Sequence, residues 1–232
     1  MFTDSGARAV PQRAGSLETR QRIVETALAL FREHGFDPTT IRDIARAAGL
    51  SLGAAYYYFP SKDAIVAAYY DYVQEEHLAR AAAAYAAHGS LRDRLRAAFH
   101  TKIDVVEADR ALLRALFRHG GDPGHPLSWF GPATRDQREK STAVFAAALE
   151  GERLPDDVRS AAPVLLWTLH MGVLLYFLYD DSPGYRRTRR LIDASVDFAV
   201  DVKRLATSAL LRPLRRRVIS ILRDAGLLGA AA

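Results

Sequence analysis

Six residues within one short segment, Ser51, Leu52, Gly53, Ala54, Tyr56 and Tyr57, combine small side chains with two phenolic hydroxyls. Small side chains let a helix lie close against another surface, and tyrosine hydroxyls can donate hydrogen bonds to phosphate oxygens. Together they suit a helix laid in the major groove of DNA. Such a helix has to be capped, stopped and held by a second one, and the flanking spacing supplies each requirement. Thr40 caps a short helix with Asp43 in the capping-box position, and the apolar Ile41, Ile44, Ala45 and Ala48 lead up to Gly49. Ala45 is small where two helices must cross, and Gly49 can take the positive φ of a tight turn. Ser51 caps the next helix, Pro60 stops it after Phe59, and Leu50, Ala55 and either Tyr58 or Phe59 turn inward to lock it in place. The stretch from Thr40 to Phe59 therefore reads as a helix-turn-helix. The competing reading is a helical pair of a bundle, with the three tyrosines in its core.

The supporting elements are helical as well. From Leu17, the residues Ile23, Ala27, Leu30 and Phe31 recur on one face at spacings of three and four, and Gly35 ends the pattern. Ser61 caps a fourth helix that runs from Lys62 to Ala87, and further helical patterns follow at about 91–109, 110–118, 133–150, 156–180 and 184–209. An amphipathic piece begins near 212. With no strand alternation, the fold class is all-α, an N-terminal three-helix helix-turn-helix head plus a larger helical body. The expected organisation is a disordered arm over 1–16, the head over 17–62, the body over 63–211 and a C-terminal amphipathic extension over 212–232.

Composition excludes more than it selects. The chain of 232 residues is 49% hydrophobic, enough for a real core, and contains no cysteine, which rules out disulfides, thiolate metal sites and cysteine nucleophiles. The net charge of +5 suits an anionic partner, yet the basic residues crowd the C-terminal end, from Arg186, Arg187, Arg189 and Arg190 to Arg215, Arg216 and Arg217. These read as solvated helix faces or partners of acidic residues, with a second DNA contact as the rival. Arg8 and Arg13 in the leading arm could reach a groove. No HExxH, GxSxG, GxGxxG or P-loop is present, and the seven histidines lack metal-ligand spacing. The segment from His119 to Pro126, with His125 and Asp122, is the stretch most like a metal site and reads as a connecting loop. No enzyme activity, catalytic residue, metal or cofactor is expected. The start of the chain lacks the apolar core of a secretory signal. The apolar run from Val164 to Tyr179 is shorter than a membrane span and carries His170, so a cytoplasmic protein with no membrane partner is expected.

The stretch from about Leu17 to Ala67 resembles the DNA-binding domain of the TetR family of bacterial regulators. The resemblance rests on Thr40, Ile44, Ala45, Gly49, Leu50, Ser51, Gly53, Tyr56, Tyr57, Phe59, Ser61 and Lys62. It implies that Arg42, Leu52, Gly53 and Ala54 approach bases, while Thr40, Tyr56, Tyr57, Tyr58 and Lys62 hold phosphates. For Lys62 and Arg42 an ordinary surface position is the alternative. Leu52 stands where a polar residue is common and Tyr58 where a histidine is, so base readout would lean on Arg42, thymine methyl contacts and DNA shape.

One such head buries too little surface for tight binding, so a homodimer on a palindromic operator in double-stranded DNA is expected. The helix near 156–180 is apolar all round, which suggests one face toward the body and one toward a partner subunit, with Gly172 allowing close approach. The resemblance further implies a four-helix dimer interface and a body that encloses a small hydrophobic or amphipathic effector. Phe99, Ile103, Phe117, Trp129, Phe130, Phe145, Trp167 and His170 are the candidates to line that site, against the alternative that they are packed core. Trp167, His170, Leu174 and Phe177 fall on one helix face. The resulting expectation is a repressor released from its operator by the effector, the alternatives being a DNA binder with no sensor and an all-helical enzyme.

Overall fold

The computed structural model describes residues 9–87, 89–206 and 208–226. Within these, α1 spans Ala9–His34, α2 Ile41–Ala47, α3 Leu52–Tyr58, α4 Lys62–Ala87 and α5 Leu91–Val106. They are followed by α6 over Arg110–Gly120, α7 over Arg135–Ala148, α8 over Asp156–Tyr179, α9 over Arg186–Ala206 and α10 over Arg212–Asp224. No strand occurs among the described residues. The all-α expectation holds.

The first helix begins earlier than its periodicity suggested. Residues expected to belong to an irregular arm through 16 are helical from Ala9. Pro11 falls in the first turn, where an N–H has no intrahelical acceptor, so the residue that signals a break elsewhere is tolerated here. Residues 1–8 of the expected arm, Arg8 among them, lie outside the described residues. At the other end Gly35 adopts φ +90° and its N–H bonds to the Phe31 carbonyl at 3.0 Å, closing α1.

The chain divides into two compact units, with borders inside α4 after Tyr72 and at the two ends of residues 111–134. The first unit comprises residues up to Tyr72 together with Ala111–Thr134. Its core gathers Ile23, Ala27 and Phe31 from α1, Ile44 from α2, and Ile65 and Tyr69 from α4, all buried, with Phe36 and Phe59 between helices. The Phe31 and Phe36 rings meet edge to face at 5.2 Å. Residues 111–134, expected in the body, belong to this unit instead. Leu112, Leu113 and Leu116 bury one face of α6, while Arg118 pairs with Asp37 at 3.0 Å and the His119 ring packs on Phe36. Gly120 is required by the same packing, because a Cβ there would fall 2.2 Å from the Trp129 ring.

The second unit holds the rest. Leu95, Phe99, Ile103 and Val106 recur along the buried face of α5, and Val144 and Phe145 of α7 are fully buried. Along the rim of α5 and α9, Arg92 reaches Asp197 at 3.0 Å, Arg96 reaches both Asp193 and Asp197, and His100 reaches Asp193 at 3.1 Å. Arg189 joins Asp104 at 2.7 Å. With Arg187 on Asp181, Lys203 on Glu152 and Arg215 on Asp157, several of the C-terminal basic residues are held by acids of their own chain. The amphipathic α10 docks Ile219 on Ala161 of α8, with Val164 and Leu222 beside them. Helix α8 is longer than its uninterrupted apolar run because Asp156–Pro163 precede it in the same helix. By length and composition alone it is long enough to cross a membrane, but 44% of its most apolar stretch is buried within the protein.

The turn between α8 and α9 is organised by one buried carboxylate. Asp180 Oδ1 accepts hydrogen bonds from the Ser182 N–H and hydroxyl at 2.9 and 2.7 Å, and Oδ2 accepts from the Thr188 N–H and hydroxyl at 2.8 and 2.7 Å. Burial disfavours the charge, but these bonds from Ser182 and Thr188 outweigh it and hold the carboxyl well below the usual carboxylate range. A depressed acid contributes stability that is present above the unfolded carboxylate pKa and lost as pH falls through the folded one. Asp180→Ala is therefore expected to destabilise the protein by about 2 to 3 kcal/mol in urea melts near neutral pH. The difference from the parent should shrink as the pH is lowered below about 4. An unchanged melt at neutral pH would contradict this account.

Candidate nucleic-acid interface

The helix-turn-helix lies wholly in the first unit. The Thr40 hydroxyl accepts from the Asp43 N–H at 3.2 Å while the Asp43 carboxylate accepts from the Thr40 N–H at 3.1 Å, a complete capping box at the start of α2. The Thr40 hydroxyl, donating to the Asp43 carboxylate at 2.5 Å, and then the Thr40 N–H lower the Asp43 pKa, and Arg46 at 2.6 Å adds to the effect. Gly49 has φ +69°, and the turn is closed by the Leu50 N–H on the Ala45 carbonyl at 2.9 Å. Ser51 caps α3 by accepting from the Ala54 N–H at 3.1 Å. Ile41, Ala45 and Ala55 form the small buried cluster where α2 and α3 cross, and Phe59 is buried beyond it beneath the Arg20 guanidinium.

This arrangement decides what α3 presents. Tyr57 is 83% exposed and Tyr56 50% exposed. Ser51 and Gly53 are exposed on the first turn of the same helix, and Ala54 and Tyr58 are half-buried. The Tyr57 and Tyr58 rings touch edge to face at 5.3 Å. Around Gly53 a Cβ would meet nothing within 4 Å, so the packing of the isolated chain gives no reason for glycine at that helical position. Thr40 and Arg42 are exposed near the start of α2.

Two of the expected positions differ. Leu52, placed among the outward residues, is half-buried and packs against the Ile41, Ala45 and Ala55 cluster. The first turn of α3 lies close to α2, and a leucine there gains more from the cluster than from water. Lys62, assigned to a phosphate, is occupied within the head. Its Nζ donates to the carbonyls of Phe36, Asp37 and Thr39 at 2.6, 3.2 and 3.1 Å and sits 4.1 Å from the centre of the Phe36 ring. An ammonium has three N–H donors, and three carbonyls accept them. Burial lowers the Lys62 pKa, with Asp37 and Asp63 opposing. Sequence spacing could not foresee this, because the acceptors are backbone groups of the loop ahead of α2.

In the second unit, the effector candidates Phe99, Ile103, Phe145, Trp167 and His170 are all buried. The rings of Phe99, Phe145 and His170 meet within 5.1 to 5.6 Å of one another. Leu174 and Phe177 continue the same buried face of α8. Phe117, Trp129 and Phe130 belong to the first unit, where Phe117 and Trp129 pack edge to face at 4.5 Å and Phe130 is exposed. A separate apolar cavity of about 390 Å³ opens among α5, α8, α9 and α10, lined by residues such as Leu95, Ala161, Leu165, Val202, Leu214 and Ile219. The loop after α6 is tied by its own bonds, the Asp122 carboxylate accepting from Gly124 N–H and His125 Nδ1 from Leu127 N–H.

Lys102 and His77 escaped the sequence reading altogether. Both are buried, Lys102 on α5 and His77 on α4. A signal was present: Leu95, Phe99, Lys102 and Val106 keep the spacing of one helix face, as do Val73, His77 and Ala81.

Comparison with known proteins agrees with this geometry. Residues 23–69 match the family model of bacterial regulatory proteins of the tetR family, and residues 94–218, more than half of the chain, match that of the tetracyclin repressor-like C-terminal domain. The transcriptional regulator TtgR of Pseudomonas putida is 44% identical over 66 residues, 28% of this chain and 31% of that protein. The transcriptional regulator AcrR of Shigella flexneri is 47% identical over 45 residues, 19% of this chain and 21% of that protein. The chain thus matches less than a third of the length of these curated relatives. The crystal structure of a TetR transcriptional regulator from Nitrosomonas europaea superimposes with a TM-score of 0.64 at 22% identity, covering 78% of this chain and 97% of the other, which speaks for the fold. A helix-turn-helix head and a C-terminal domain each matched by its own model lead to one conclusion: the chain belongs to the TetR family.

Proposed function

We propose that this protein is a transcriptional regulator that binds a palindromic operator in double-stranded DNA as a homodimer, with α3 in the major groove. The observation that carries the reading is the surface of α3. Tyr56 and Tyr57 stand out beside Ser51 and a glycine, Gly53, that nothing in the chain crowds. Glycine inside a helix costs about 1 kcal/mol relative to alanine, and close approach to a groove is a reason to keep it. In this reading Arg42, Gly53 and Ala54 approach base edges, Thr40, Tyr56, Tyr57 and Tyr58 hold phosphates, and Leu52 and Lys62 brace the head.

The dimer would use the exposed side of α8 and α9. Leu165, Leu175, Tyr176 and Tyr179 on α8, with Leu191, Phe198 and Leu205 on α9, leave large apolar side chains in water. Gly172 lies among them with open space above its Cα, as a close helix crossing requires. We read α8 accordingly as core and interface, and the protein as cytoplasmic, with no membrane partner and no enzymatic role. A small apolar or amphipathic effector, bound within the body around Phe99, Ile103, Phe145, Trp167 and His170, would release the operator and so relieve repression. Such linkage needs a coupling of about 1 to 3 kcal/mol between the two sites.

Selection of genomic fragments followed by footprinting at physiological salt is expected to reveal a palindrome with half-sites about one helical turn or more apart. Diffuse, strongly salt-sensitive binding alone would contradict it. Tyr57→Ala should weaken operator binding about tenfold while the dimer persists, and no change would remove α3 from the interface. Lys62→Met should lower the melting temperature and leave the salt slope of DNA binding unaltered. A slope reduced by about one would instead return Lys62 to the phosphates.

A further inference from the structure

The second unit contains a group of buried basic side chains that no acid among the described residues balances. His77 of α4 and His170 of α8 stack with ring centres 5.9 Å apart and planes 11° from parallel. His77 Nε2 is 2.7 Å from the Ala98 carbonyl, whereas its Nδ1 and both ring nitrogens of His170 are buried without a hydrogen-bond partner. Beside them Lys102 is only 4% exposed, with Nζ donating to Gln74 Oε1 at 3.2 Å. Phe99 and Phe145 also pack on the His170 ring, with centres 5.6 and 5.4 Å away.

The electrostatics are one-sided. Burial and then the Lys102 charge push His77 down to about 3, and burial, Lys102 and His77 lower His170 well below an ordinary histidine. Burial pushes Lys102 down to about 7. A buried nitrogen without a partner is costly, and a buried ammonium facing imidazoles rather than a carboxylate costs more. Buried polar groups in such surroundings call for a ligand that satisfies them. An anion would, since it accepts from the Lys102 ammonium and from an N–H of the neutral His170 ring at once, while His77 keeps its Nε2–H on the Ala98 carbonyl. Phe99 and Phe145, packed on the His170 ring, would part to receive the apolar remainder of such a molecule.

We propose that the effector of this regulator is an apolar carboxylic acid whose carboxylate is bound by Lys102 and His170. This deepens the reading of the body as a sensor and rests on it. Bound carboxylate restores the charge on Lys102, so binding at slightly alkaline pH takes a proton from solution.

The test is calorimetric titration of the full-length protein with decanoate and 2-naphthoate, each beside the alcohol of the same skeleton. The acids are expected to bind at least tenfold more tightly than the alcohols. In wild type at pH 8, paired buffers of different ionisation enthalpy should register uptake of about one proton for the acids and none for the alcohols. Lys102→Met and His170→Leu should each abolish the preference for the acid while alcohol binding survives, which also shows that the variants are folded. Equal binding of acid and alcohol by wild type, no proton uptake, or a preference that persists in both variants would overturn the proposal. So would binding of neither. In each of these cases operator release by neutral apolar compounds would leave the sensor reading standing, and no release by any compound would remove both.

Discussion

Ala45 and Ala55 meet where α2 and α3 cross, and Ile41 fills the remaining space. A larger side chain at either alanine would push the helices apart and rotate α3, so this close crossing fixes which residues face out. Gly49 serves the same constraint from the turn, because its positive φ lets α3 start soon after α2 ends. The caps at Thr40 and Ser51 each satisfy one of the N–H groups left open in the first turn of a seven-residue helix, those of Asp43 and Ala54. Helices this short are unstable alone, so the head depends on Phe31, Phe36 and Phe59 packed beneath them. Lys62 draws the 36–39 loop into the same framework.

Much of the head could be read from residue types because its rules are local. Capping boxes, positive-φ glycines and alanine at helix crossings act over a few residues, and Thr40, Asp43, Ala45, Gly49, Ser51 and Ala55 obey them. What escaped prediction depends on neighbours distant in sequence. Lys62 found three backbone carbonyls more than twenty residues away, and Leu52 found the α2 crossing rather than water. The compact unit took in α6 and its loop because Arg118 and His119 reach Asp37 and Phe36. Pro11 looked like part of an irregular arm but stands in the first turn of a helix, where proline is harmless.

The body poses a different kind of problem. Its aromatic residues were legible as a buried set, yet packed core and ligand site share that pattern, and only the polar atoms separate them. Lysine is so seldom buried that its place in the apolar stripe of α5 is easily passed over. Set beside the partnerless His77 Nδ1 and His170 ring nitrogens, it marks the part of the core that hydrophobic packing does not explain. Asp180 offers the contrast: it is buried too, but four hydrogen bonds satisfy it and it needs no ligand.

The central claim is that the exposed face of α3 is the surface that meets DNA. Amide hydrogen exchange of the full-length protein, with and without its selected DNA fragment, tests this directly. The account predicts new protection concentrated at the start of α2 and along Ser51–Tyr58. Protection that spares α3 and gathers instead on the arginine-rich α10 would contradict it.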